Sequence, residues 1–131
     1  MSSSHGSLVT PVVGTTEGAN PSEFGGPGMT FLTGPGAEVV APSDAKVLFS
    51  GPYHKYGHVL ILQTARGYDA VLAGLGRVDV RPEDQVLAGE PVGTMPSTGP
   101  QARLYFELRQ NGRGDDPAPY LTLDLRKAKG T

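Results

Sequence analysis

Arg103-Leu104-Tyr105-Phe106-Glu107-Leu108-Arg109 reads as a β-strand with two unlike faces. Side chains alternate across a strand, so Leu104, Phe106 and Leu108 share one side and Arg103, Tyr105, Glu107 and Arg109 the other. The apolar side asks for a core to pack against. The polar side has two readings. It is a solvated face, the ordinary fate of charged residues, or a contact surface, since tyrosine and arginine are favoured in protein interfaces.

Outward from this strand, short apolar runs alternate with turn residues, the pattern of a β-sandwich or barrel. Strands are predicted at 29–32, 38–41, 45–51, 58–64, 68–75, 92–95 and 103–109. The turns between them are Thr33-Gly34-Pro35-Gly36, Ala41-Pro42-Ser43-Asp44, Gly51-Pro52, Ala65-Arg66-Gly67 and Asn111-Gly112. The 19 glycines and 12 prolines punctuate apolar runs in this way, so they mark turns and not a low-complexity tract. Leu8 to Val13 is read as an edge strand and the rest of 8–27 as a long loop. Residues 1–7 have the look of an expression leader, without the apolar stretch of a signal peptide. The main domain is set at 28–121 and a tail at 122–131. Leu121 to Lys129 is the one stretch that could carry a short helix, and Pro82 to Leu87 is read as a turn.

Composition narrows the function classes. A chain of 131 residues with 37% hydrophobic content supports one domain around one modest core. A net charge of −2 argues against a nucleic-acid partner, because such binding leans on a basic patch that neutralises phosphates. The absence of cysteine removes disulfides, thiolate metal ligands and a cysteine nucleophile. No apolar run reaches the roughly 18 residues that span a bilayer.

A set of segments in fixed order carries a family resemblance. It comprises Gly36-Ala37-Glu38-Val39-Val40-Ala41-Pro42, Lys46-Val47-Leu48-Phe49-Ser50-Gly51 and Tyr56-Gly57-His58-Val59-Leu60-Ile61-Leu62. It continues through Val86-Leu87-Ala88-Gly89-Glu90-Pro91-Val92-Gly93, the strand at 104–109, Asn111-Gly112, and Asp116-Pro117 to Tyr120-Leu121. From Gly28 to Leu121 the chain resembles the LytM (M23 peptidase) domain. The resemblance implies an all-β fold, an antiparallel sandwich or open barrel with long loops and a groove.

Active members of that family hold zinc through an H-x-x-x-D motif and a histidine of an H-x-H pair. A further histidine, in a Tyr-Ala-His-Leu-like segment, assists them. Such a metal needs about three protein ligands and an open position for water. Aligned to that pattern, the first ligand position falls on Gly26 and the aspartate position on Thr30. The H-x-H pair falls on Arg103 and Tyr105, and the assisting segment becomes Leu72-Ala73-Gly74-Leu75. No metal, no cofactor and no catalytic residue are therefore expected. His5 lies in the leader, and His54 and His58, four apart across a turn, are read as surface or turn residues. An active zinc endopeptidase is the first rival reading and fails on ligand count. A biotinyl- or lipoyl-type barrel is the other, and lacks its modified-lysine hairpin.

Within the family the chain is most similar to the EnvC-type murein hydrolase activators. The residues that carry this are Tyr56-Gly57 before an apolar strand, Leu72-Ala73-Gly74, Leu87 to Val92, and Leu104 to Arg109. The resemblance implies a vacated groove that binds a cell-wall amidase and relieves its autoinhibition, at the periplasmic side of the envelope. It also implies that the full-length protein docks on an ABC-type membrane division complex. In this reading Tyr105 and Arg109 anchor an amidase segment, Tyr56 and Leu72 flank it, and Arg103, Glu107, Gly74, Thr30 and Gly26 complete the groove. Tyr56 is equally readable as a turn residue packed on the rim, and Glu107 as a partner for Arg103 or Arg109. A module that binds peptidoglycan directly through the same groove is the alternative function.

Overall fold

The structure, a computed structural model, describes residues 8–17, 27–65, 67–110 and 113–115, with the side chains of Lys55, Arg113 and Asp115 left aside. Eleven strands occur among them: β1 Gly14–Thr16, β2 Met29–Thr33, β3 Glu38–Val40, β4 Ala45–Pro52, β5 His58–Thr64 and β6 Asp69–Leu75. The remainder are β7 Arg77–Val78, β8 Gln85–Val86, β9 Pro91–Thr94, β10 Ala102–Gln110 and β11 Arg113–Asp115. Every pairing is antiparallel. The large sheet runs β1-β2-β10-β6-β5-β4-β8, with β11 added to β10, and a small sheet runs β3-β9-β7.

The strand that opened the reading is central, and both of its edges are used. One edge pairs with β6 at residues 105–109. The other pairs first with β2, at 102–106, and then with β11, at 108–110. Residue 107 therefore lies at a seam where one neighbour ends and the next begins.

A single core joins the inner face of the large sheet to the small sheet. Leu60, Leu62, Leu72, Leu104, Phe106 and Val47 supply the first, and Val39 and Val92 the second. The alternation in β10 predicted this for 104, 106 and 108, all of which are buried.

The N-terminal segment differs from expectation. Leu8 and Val12 are fully buried in the core, and Val9 N–H donates to the Pro42 carbonyl at 2.8 Å. The edge strand follows at Gly14–Thr16 instead of occupying residues 8–13. The apolar run is held both by core packing and by backbone bonds along the β3 edge, where Leu8 makes a bridge and Val40 N–H donates to the Pro11 carbonyl at 2.8 Å. Pro82–Leu87, expected to hold a turn, does turn at Pro82 and Glu83, and Gln85 and Val86 then form a short strand against β4. The tail at 121–129 lies outside the described residues.

Candidate functional site

The outer face of the large sheet carries two rows of facing residues. Thr30, Tyr105, Ala73 and Val59 are successive cross-strand partners, and Glu107, Val71, Ile61 and Phe49 form the next row. Directly opposed residues in an antiparallel pair project to the same side. Val59, Ala73 and Tyr105 accordingly form a small cluster of their own, with Phe49, Tyr56, Ile61 and Val71 packed around it.

Two irregularities set which side chains reach this face. In β4 the register shifts between Val47 and Phe49, so Val47 faces the core while Phe49 faces outward. In β6 and β5 a second shift lies between His58 and Val59, leaving Gly74 as the extra residue at φ 102°. That left-handed value favours glycine. Gly57, at φ 73°, packs beside it: a Cβ there would lie 3.7 Å from Gly74 Cα. The 3-10 turn His54–Tyr56 ends on Gly57 and turns Tyr56 toward the cluster.

Tyr105 is only 4% exposed, and its hydroxyl has both roles filled. It accepts from Gly28 N–H at 2.8 Å and donates to Glu107 Oε1 at 2.5 Å. Burial pushes its pKa above the ordinary tyrosine value, and the bond to Glu107 adds to the rise; the Gly28 contact opposes it. Glu107 Oε2 in turn accepts from Arg109 Nη1 at 2.8 Å. Arg103 reaches Glu17 instead, at 3.1 Å. Glu107 is thus the partner of Arg109 and not of Arg103.

Several sequence expectations change here. The outward face of β10 is not a solvated one, since Tyr105 and Glu107 are both buried. Nor is Tyr105 an exposed anchor: its ring packs into the sheet's outer cluster and only Arg109 remains half exposed. Leu72 is fully buried in the main core, one residue out of phase with Ala73, so it cannot flank a groove on the other face. Thr30 does lie beside Tyr105, but its Oγ1 is buried and has no hydrogen-bond partner in the structure. Tyr56 is brought to the Tyr105 cluster by the 3-10 turn, and Gly74 is set beside Gly57 at its end by the β5–β6 register shift. Gly26 lies outside the described residues.

Aromatic residues that the sequence reading passed over complete the surface. Tyr53, about half exposed, stands edge-on to Phe49 at 6.2 Å and near-parallel to Tyr56 at 6.3 Å. His54, at φ 52°, meets Tyr53 edge-on at 4.5 Å. The spacing of aromatics in Phe49-Ser50-Gly51-Pro52-Tyr53 was the available signal, but only the β4 bulge gives Phe49 its outward direction. Among the described residues no group of three or more His, Cys, Asp or Glu is arranged to hold a metal ion.

The profile described as Peptidase family M23 matches residues 25–117. The chain belongs to the M23 peptidase family. Among curated relatives, the M23 domain is 33% identical over 102 residues to the murein hydrolase activator NlpD of Salmonella dublin, covering 76% of this chain and 27% of that protein. It is 35% identical over 97 residues to the murein hydrolase activator EnvC of Escherichia coli, covering 72% and 23% respectively. The chain thus spans about a quarter of the length of these relatives. Among solved structures, a putative M23 peptidase from Pseudomonas aeruginosa superposes with a TM-score of 0.76 at 25% identity, over 91% of this chain and 52% of that one. Lysostaphin of Staphylococcus simulans gives 0.70 at 26% identity, over 82% and 49%.

Proposed function

We propose that this M23 domain does not cut peptidoglycan but binds and activates a cell-wall amidase of the N-acetylmuramoyl-L-alanine type, in the periplasm, during wall remodelling and division. The observation that carries this reading is the state of Tyr105. It stands on the strand where the family presents its H-x-H histidines, it is buried, and its hydroxyl is engaged by Gly28 and Glu107. A zinc ligand must turn a lone pair to the metal, whereas this hydroxyl accepts one hydrogen bond, donates another and is kept protonated by its burial. Arg103 has only donors to offer. These residues do not fit a zinc site.

The relatives, themselves murein hydrolase activators by name, support the same reading. So does the outer face itself, where Arg109, Tyr53 and Tyr56 offer the residue types that supply interface hot spots. The resemblance to EnvC-type activators supports an ABC-type membrane division complex as a further partner of the whole protein.

Dye release from labelled sacculi tests the proposal, with the chain and candidate amidases assayed alone and in pairs. Release by a pair and by neither component alone is expected. Release by this chain alone contradicts the proposal. A second reading, direct peptidoglycan binding on the same face, is favoured by the half-exposed Tyr53 ring; co-sedimentation with bare sacculi separates the two.

A further inference from the structure

Four groups on the outer face form one continuous chain of contacts. Gly28 N–H donates to Tyr105 Oη, Tyr105 donates to Glu107 Oε1, and Arg109 Nη1 donates to Glu107 Oε2. The first two side chains are buried, whereas about half of the Arg109 side chain is exposed. Glu107 stands at the seam between β2 and β11, and that seam is closed over it. A Cβ on Gly114 would overlap the Glu107 carboxylate and lie 2.9 Å from Pro27 Cγ. The carboxylate is therefore held from three directions: by the tyrosine below, by the arginine outside, and by the backbone of β11.

A buried carboxylate at such a seam is out of reach of a docked protein. It acts on a partner only through what it holds. Arginine has a long, flexible side chain that loses rotamer freedom on binding. A guanidinium already fixed by an ion pair has given up part of that freedom before the partner arrives. Resting on the functional reading above, we infer that Glu107 is a positioning residue that presets Arg109 for the partner protein, with Tyr105 as its brace. The seam shows where the brace acts: among the described residues neither β2 nor β11 pairs with residue 107 on that edge, and side-chain contacts hold it there.

Two measurements test this. The first is nitrogen-15 relaxation at Arg109 Nε in this chain, with and without Glu107→Gln. The glutamine keeps the shape and still accepts from Tyr105, but loses the charge. The order parameter is expected to fall from the ordered range to below about 0.6. Tyr105→Phe, which removes the brace and leaves the carboxylate, is expected to move it in the same direction and serves if Glu107→Gln does not fold. An unchanged Arg109 order parameter in a folded variant overturns the inference.

The second is a double-substitution cycle on affinity for the amidase that responds in the sacculus assay. Glu107→Gln and Arg109→Ala should each weaken binding by about tenfold. The double variant should bind no worse than Arg109→Ala alone, because Glu107 acts through Arg109. Additive losses overturn the positioning role. If Arg109→Ala binds as tightly as the original chain, the inference fails as well. Failure of the original chain to bind any amidase sinks the functional reading instead, and the relaxation measurement still decides the positioning.

Discussion

Arg103 and Glu17 lie 86 residues apart in sequence and meet at 3.1 Å across the sheet. Glu17 follows the edge strand β1, and its own N–H donates to the Thr30 carbonyl at 2.9 Å. The pair therefore ties the sheet's edge to its central strand, on the face that carries Tyr105 and Arg109.

Both partners are about one-third exposed, which limits the energy. Arg103→Ala should cost no more than about 1 kcal/mol of stability, as partly exposed ion pairs do. The change should be visible locally, as faster hydrogen exchange at the Glu17 amide. Unchanged exchange there would mean that strand pairing alone holds the edge.

Gly28 makes a close approach that no other residue allows. A Cβ at this position would collide with the Phe106 carbonyl and lie 2.9 Å from Tyr105 Cζ. Gly28→Ala should therefore destabilise the domain by about 1–3 kcal/mol, the usual cost of forcing extra atoms into a packed site. A thermal melt reads it. A variant as stable as the parent would mean that the start of β2 moves freely.

Leu72 belongs to the core and not to the groove. Leu72→Ala should lower stability by about 2–5 kcal/mol through lost burial and a residual cavity. Where the variant is still folded, its affinity for an amidase should match that of the parent chain. Chemical denaturation and a binding titration together check both halves, and weakened binding by a fully folded variant would return Leu72 to the interface.

Tyr105 makes stability depend on alkaline pH. Its pKa is raised in the folded state by burial first and by its bond to Glu107 second. The protonated hydroxyl is thus favoured by folding, and that contribution is fully present below the unfolded pKa of roughly 10. It is lost as pH rises beyond that value. Denaturant midpoints taken at pH 8 and above pH 10 should fall more steeply for the parent chain than for Tyr105→Phe. At pH 8 the phenylalanine variant should itself be less stable by about 1–3 kcal/mol, since Gly28 N–H and Glu107 lose their partner. Parallel pH profiles would show that the hydroxyl does not titrate with unfolding.

Much of the fold was legible from local pattern. Alternation placed 104, 106 and 108 in the core, and turn residues bounded the seven predicted strands within a residue or two. Two-residue strands such as Arg77–Val78 and Gln85–Val86 left no pattern, because so short a segment has no period to read. The choice of residues for the groove fared less evenly. Arg109, Tyr56, Gly74 and Thr30 lie on or beside the outer face, whereas Leu72 points away from it.

The sequence by itself determined the antiparallel all-β class, the apolar side of β10 and the family pattern, because these rest on periodicities and motifs confined to neighbouring residues. Tertiary structure alone decided which side chains share the outer face. A single bulge reverses the alternation for every residue beyond it, so Phe49 turns outward after the shift at Leu48, and Gly74 separates Ala73 from Leu75. It also decided that Tyr105 and Glu107 are buried. The burial of these two polar groups is offset by hydrogen bonds, from Arg109 to Glu107 and from Gly28 to Tyr105. That contact joins residues 77 positions apart.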